Sequence, residues 1–441
     1  MNENGFTQFS TITVLLLLAA FYGGTYLLTL LIRKEKEDTS GFMVAGHHVG
    51  FGMGAASMTA TWIRASVFTD FAQLVALMAI AIIIIPAVLY SAGGPSVMVE
   101  GLSKMTDEQA NLFSVEAIMN QGAPFFVAVL AYAIGNQTIS QRLFAVREKN
   151  IKSTFVTATI GYGAIVIGLG MIGLMALSVG VEPIDGKMNN LIPQMVSTYL
   201  SPFFVALFFI LVIGSLSSTA DSDLSALSTI MMADVYGKNI AKDNPNPKVM
   251  MLVGRITMIV ATVAGLIFAS FSLDILVMLV FVGALWGAIV FPVIVSCYWD
   301  RVTNSAFTWS VVVAMALFCI ARFELLEMTG MTVLAFEILA SVGGAVVIGM
   351  MVFGFFGRAA GLVAGAITLV AMLMFATGFL RDYMVLVASL TAYGASAVVC
   401  TAMTLLSKEE RFDFDLIKKR VGDYDDADSE GTAGLIPEGA K

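Results

Sequence analysis

Eleven apolar runs, each about 20 to 34 residues long, follow one another along this chain. A hydrocarbon core about 30 Å thick takes roughly 20 apolar residues of helix to cross. Backbone N–H and C=O groups find no water at that depth, so each run must satisfy them within itself as a helix. The expected fold is an all-α polytopic membrane protein. Composition agrees: 58% of residues are apolar and 13% charged, against about 25% charged in soluble domains. The first run, Thr11 to Ile32, is followed by Arg33-Lys34-Glu35-Lys36. A cleavable signal has a basic front and a shorter core, so this run reads as a retained first helix. The others read as 66–92, 123–145, 153–180, 202–235, 249–270, 273–298, 305–325, 331–356, 359–380 and 382–407.

Charge orients them. With the N-terminus outside and the runs alternating, the cytoplasmic connections carry Arg33, Lys34 and Lys36, then Arg147, Lys149 and Lys152, then Lys238, Lys242 and Lys248, then Arg301 and Arg358. The tail adds Lys408, Arg411, Lys418, Lys419 and Arg420, while the outer connections hold little beyond Lys104, Lys187, Arg322 and Arg381. This is the positive-inside asymmetry, and it predicts an N-out, C-in chain. Residues 1–407 form the transmembrane domain. Residues 408–441 form a cytoplasmic tail, acidic around Asp423 to Asp428 and disordered at its end.

Gly50 to Ser91 is too long for one straight crossing, because about 40 residues of helix reach roughly 60 Å. Two crossings here would invert every later loop. Gly50 to Ile63 is therefore expected to enter only part-way, as a re-entrant half-helix, before the chain crosses once as 66–92.

Inside the 202–235 run lies a polar insert, Gly214-Ser-Leu-Ser-Ser-Thr-Ala-Asp-Ser-Asp-Leu-Ser225. Ser215, Ser218, Thr219 and Ser222 fall at i, i+3, i+4 and i+7, one face of a helix. Asp221 and Asp223 flank that face on opposite sides. Small hydroxyl residues also line ordinary membrane helix interfaces, but that does not account for two carboxylates in hydrocarbon, which by default mark an ion or substrate path. A stripe of oxygen ligands suits a hard cation, whereas sulfur or imidazole suits softer metals.

Other chemistry has little support. Cys297, Cys319 and Cys400 make no disulfide or metal pattern, and the only histidines are the adjacent His47 and His48. No nucleophile triad, zinc motif or phosphate loop is present, so no enzyme activity and no organic cofactor are expected. The net charge of −8 sits mostly in loops and tail and implies no nucleic-acid partner.

Three segments carry a family resemblance. They are Gly54-Ala-Ala-Ser-Met-Thr-Ala-Thr-Trp-Ile63, Arg64-Ala-Ser-Val-Phe-Thr-Asp-Phe-Ala-Gln73, and the pair Gly135-Asn-Gln-Thr-Ile-Ser-Gln-Arg142 and Ser215 to Tyr236. The chain resembles the solute:sodium symporters, whose inverted-repeat, five-plus-five helix core is of the LeuT type. The Thr-Trp and Ser-Thr-x-Asp-Ser features lean towards the urea-transporter-like branch. The resemblance implies a sodium site on backbone oxygens of Ala60, Ile63 and Ser215 and hydroxyls of Ser218 and Thr219. It also implies a second cation site pairing Asp70 with Ser222, where Asp221 stands at a position that is serine elsewhere; that departure adds charge or permits proton coupling. Trp62, Tyr132, Asn136 and Gln137 are the implied solute contacts. Read from the residues alone, Tyr132 and Trp286 are packing or interface aromatics.

One departure is large. In the family, the second half of the first core helix and three further helices separate the Thr-Trp and Thr-Asp motifs, whereas here Ile63 and Asp70 are seven residues apart. About a hundred residues, one wall of the solute cavity among them, are missing relative to the pattern. The expected fold is thus an incomplete LeuT-type bundle of about eleven transmembrane helices plus a half-helix. The resemblance implies sodium-coupled symport of a small polar solute, urea-, amino-acid- or sugar-like, across the plasma membrane. The alternatives are a transport-deficient ion-binding scaffold or sensor, or a leak-type channel.

Overall fold

In the computed structural model, residues 7–32, 65–104, 111, 113–139, 146, 150–242, 245–271, 275–327 and 329–415 are described. Regular structure among them is helical, with no strand. Among the described residues, ten helices are long and apolar enough to cross a membrane. They are α2 (Ala65–Ser91), α4 (Val115–Gly135), α5 (Ile151–Ser178), α7 (Pro202–Ile240), α8 (Pro247–Ala269), α9 (Ile275–Ser296), α10 (Asn304–Arg322), α11 (Gly330–Phe356), α12 (Arg358–Ala376) and α13 (Met384–Leu406). The first helix, α1 (Thr11–Ile32), is a further apolar helix. The expected half-helix, with Ala60, Trp62 and Ile63, lies outside the described residues, as does the tail beyond Asp415.

Local chemistry sets the boundaries. Thr303 caps α10 by accepting from the Ala306 N–H at 3.1 Å, and Asn246 caps α8 by accepting from Lys248 at 3.0 Å. Proline opens α7 at Pro202 and α8 at Pro247, where its missing N–H costs nothing. The predicted 123–145 span instead begins at Val115, because the Ser114 hydroxyl accepts from the Ala117 N–H at 3.1 Å and starts the helix in polar sequence. It ends at Gly135, before Asn136. Two short helices lie between the spanning runs: α3 (Gly94–Lys104) and α6 (Leu191–Tyr199). Gly93 and Gly94 turn the chain between α2 and α3, with φ of +119° and +71°, and Pro95 sits in the first turn of α3.

The chain divides into two compact units. Unit 1 comprises 1–112 and 136–275, and holds α1, α2, α3, α5, α6, α7 and α8. Its core joins Ile84 and Val88 of α2, Ile172 and Met175 of α5, Met195 and Val196 of α6, and Val205 and Phe208 of α7. Unit 2 comprises 113–135 and 276–441, and is built around α13, of which 72% is buried against 6% for α12. Small residues let its backbones meet, as membrane interfaces require. A side chain on Gly343 of α11 would strike the Leu390 carbonyl of α13, and one on Gly394 would strike the Leu339 carbonyl. The Tyr393 hydroxyl donates to the Val127 carbonyl at 2.6 Å, tying α13 to α4.

Gly394→Val is expected to destabilise the protein by about 3 kcal/mol, whereas Gly265→Ala, where a new Cβ meets nothing within 4 Å, should change stability by less than about 1 kcal/mol. Thermal unfolding of the two variants in detergent checks this, and equal melting temperatures would contradict the α11–α13 contact.

Candidate functional site

The polar insert lies on α7, and neighbouring helices set its height. Gly214 lies against both α2 and α1: a Cβ there would sit 3.2 Å from Leu77 of α2 and 3.4 Å from the Phe21 ring of α1. Before that point Val205 and Phe208 share the core with Ile84 and Val88, so α2 and α7 run antiparallel. Seven residues onward from Gly214 is Asp221, and seven back from Leu77 is Asp70. At 1.5 Å per residue both lie about 10 Å from the crossing. The backbone at Asp70 is therefore level with Asp221 and Ser222. Periodicity within either helix gives no such register; it follows from the Leu77–Gly214 contact.

Within the stripe, Ser218 and Ser222 are buried, at 3% and 2% exposure. Ser215, Thr219 and Asp221 are accessible. The hydroxyl of Thr219 donates to the Ser215 carbonyl at 3.1 Å, and that of Ser222 donates to the Ser218 carbonyl at 2.6 Å. With the hydrogen directed at the preceding turn, the oxygen lone pairs remain as acceptors. That is the polarity a cation requires. Tyr22 of α1 adds a contact that sequence reasoning missed, a 2.7 Å hydrogen bond between its hydroxyl and that of Ser217. No local pattern signals it, since the partners are 195 residues apart.

The other expected positions divide. Tyr132, in unit 2, packs edge-on against Trp286 with centroids 4.8 Å apart, and Gly135 rests on the same tryptophan. Asn136, in unit 1, accepts with Oδ1 from the Thr138 N–H at 2.8 Å and from its hydroxyl at 2.7 Å, and so caps the turn that follows α4. Its amide nitrogen keeps its donors. Gln137 is exposed.

Ten apolar helices of spanning length, with a buried polar row on one of them, define an integral, multi-pass membrane protein. Comparison with known proteins makes the class specific. The profile of the sodium:solute symporter family matches residues 55–314, well over half of the chain, and the chain belongs to that family. The match covers the described part of α2 and all of α7. A sodium/pantothenate symporter of Haemophilus influenzae is 24% identical over 244 residues, which are 54% of this chain and 50% of that protein. The chain thus matches about half the length of that relative.

The register makes a direct prediction. With Cys297, Cys319 and Cys400 replaced, Asp70→Cys combined with Ser222→Cys should be joined by a short bifunctional thiol reagent. Asp70→Cys combined with Ser215→Cys, about 10 Å further along α7, should be joined far less. Cleavage at a protease site inserted between α3 and α4 reads the cross-link as fragments that stay together. Equal cross-linking of both pairs would refute the register.

Proposed function

We propose that the protein is a sodium-coupled symporter that moves a small polar solute across the plasma membrane by alternating access, with its N-terminus outside and its C-terminus in the cytoplasm. The observation that carries this is the hydroxyl row of α7, set level with Asp70 in a chain of the sodium:solute symporter family. Sodium, as co-transported substrate, is held by backbone oxygens of Ala60, Ile63 and Ser215 and by the hydroxyls of Ser218 and Thr219. Asp70, Asp221 and Ser222 form a second cation position on the same helix pair. Freed carbonyls of a broken helix beside an intact one are a recurring way for transporters to coordinate cations. Symport follows when sodium and solute favour the same closed conformer, so that each raises the other's affinity. The name of the similar Haemophilus protein makes pantothenate the first solute to test.

The separation of only seven positions from Ile63 to Asp70 favours one alternative. If the shortened first repeat leaves too few polar groups to orient a solute, the protein binds sodium as a scaffold without transporting.

Purified protein in vesicles with an inward sodium gradient separates these outcomes. The symporter accumulates solute above its outside concentration and loses it when the gradient is collapsed. Sodium binding without accumulation marks the scaffold, and sodium-independent equilibration marks a leak. In either case the symport proposal falls.

The site has its own test. Ser218→Ala with Thr219→Ala removes two hydroxyl ligands with little change of shape, and sodium affinity should fall by at least about tenfold. Asp70→Asn and Asp221→Asn should weaken it unequally, because only Asp221 stands on the hydroxyl helix itself. Sodium-dependent thermal stabilisation reads all three; an unchanged response in the Ser218/Thr219 variant would overturn the assignment.

A further inference from the structure

We infer that the cation path along α7 continues beyond Ser222 through Ser225 and Thr229, which act as a release relay towards the C-terminal end of the helix. The relay rests on the sodium site proposed above. Ser218, Ser222, Ser225 and Thr229 follow one another at steps of four, three and four residues, so they lie along one side of α7.

The last two differ from most helix hydroxyls of unit 1. A serine or threonine inside a helix commonly donates to the carbonyl one turn back, as Thr219, Ser222, Thr257 and Thr262 do in unit 1. Ser225 is 3% exposed, and its oxygen and that of Thr229 are buried with no hydrogen-bond partner. Ser228, on another side of the helix, has its partner in the Met232 sulfur and packs against Gly254 of α8. The unpartnered state is therefore a property of the stripe and not of the whole helix end. Thr154 on α5 is also buried without a partner, but the next hydroxyl on its side, Thr157, is exposed and no buried row forms.

A buried hydroxyl without a partner is costly to maintain, and its free oxygen suits a passing hard cation. A sodium ion leaving Ser218 and Thr219 must replace each ligand by another oxygen. Hydroxyls spaced one turn apart, about 5 to 6 Å, allow the ligands to be exchanged in succession together with water. The row ends where it should. Immediately after Thr229 and Ile230 the helix becomes a π-helix over Met231–Ile240, and its wider turn breaks the register of the stripe. By the charge asymmetry of the loops, that end faces the cytoplasm.

Groups that line the route but do not hold the bound ion alter rates and leave the equilibrium alone. The full chain in lipid nanodiscs, loaded with sodium and diluted into choline buffer, reports release through its tryptophan fluorescence. Ser225→Ala combined with Thr229→Val should slow release at least about fivefold with sodium affinity within about twofold of wild type. Ser225→Thr combined with Thr229→Ser, which keeps both hydroxyls, should restore the wild-type rate and guards against a simple folding defect. A release rate equal to wild type in the first variant overturns the relay while leaving the sodium site intact. A fall in affinity accompanied by faster release also overturns it, because the two residues would then be ligands. A wild-type protein with no sodium response removes the site proposal itself, an outcome distinct from either.

Discussion

A backbone amide in hydrocarbon has no water to turn to, and every element of this protein follows from that constraint. The chain answers with helices throughout the described residues, each closing its own hydrogen bonds. Helix ends are where satisfaction fails, and there the sequence supplies Ser114, Asn136, Asn246 and Thr303 as caps. The same constraint makes any polar side chain at depth an exception needing a local reason. Most hydroxyls find one in the carbonyl a turn behind them. On α7 two that do not, Ser225 and Thr229, lie one turn apart on one side of the helix.

Close packing without a hydrophobic drive between helices depends on small residues. Gly214 brings α1 and α2 onto α7, while Gly343 and Gly394 let α11 and α13 touch backbone to backbone. In unit 1 this contact has a functional consequence. The crossing at Gly214 sets the register of α2, and with it the level of Asp70 relative to Asp221 and Ser222. A bulky residue at 214 would separate the helices above the polar insert and leave its level undetermined.

The polar row of α7 has two edges. Ser218, Ser222 and Ser225 are covered, while Ser215, Thr219 and Asp221 are accessible. An ion ligated across this boundary would have helix oxygens on one side and an approach on the other. Membership of the sodium:solute symporter family supplies the cation for which such oxygens are suited.

Hydrophobic length determined most of the architecture from sequence alone: nine of the ten spanning helices of the structure start and end within about five residues of their apolar runs, because crossing length is fixed by the bilayer and not by partners. The exceptions are α4, whose first turns are written in polar residues that Ser114 nucleates, and the short helices α3 and α6, whose apolar sides make sense only against α5 and α2. The serine periodicity of α7 was equally legible, since helical repeat depends on spacing within one segment. Other features required the tertiary structure. That Tyr132 lies against Trp286 could not be read from either segment alone, and nothing near Tyr22 pointed to Ser217. The isolation of Ser225 and Thr229 was invisible for the same reason. Whether a hydroxyl is covered and whether it has a partner are decided by what packs on the helix, and the partners come from parts of the chain far away in sequence.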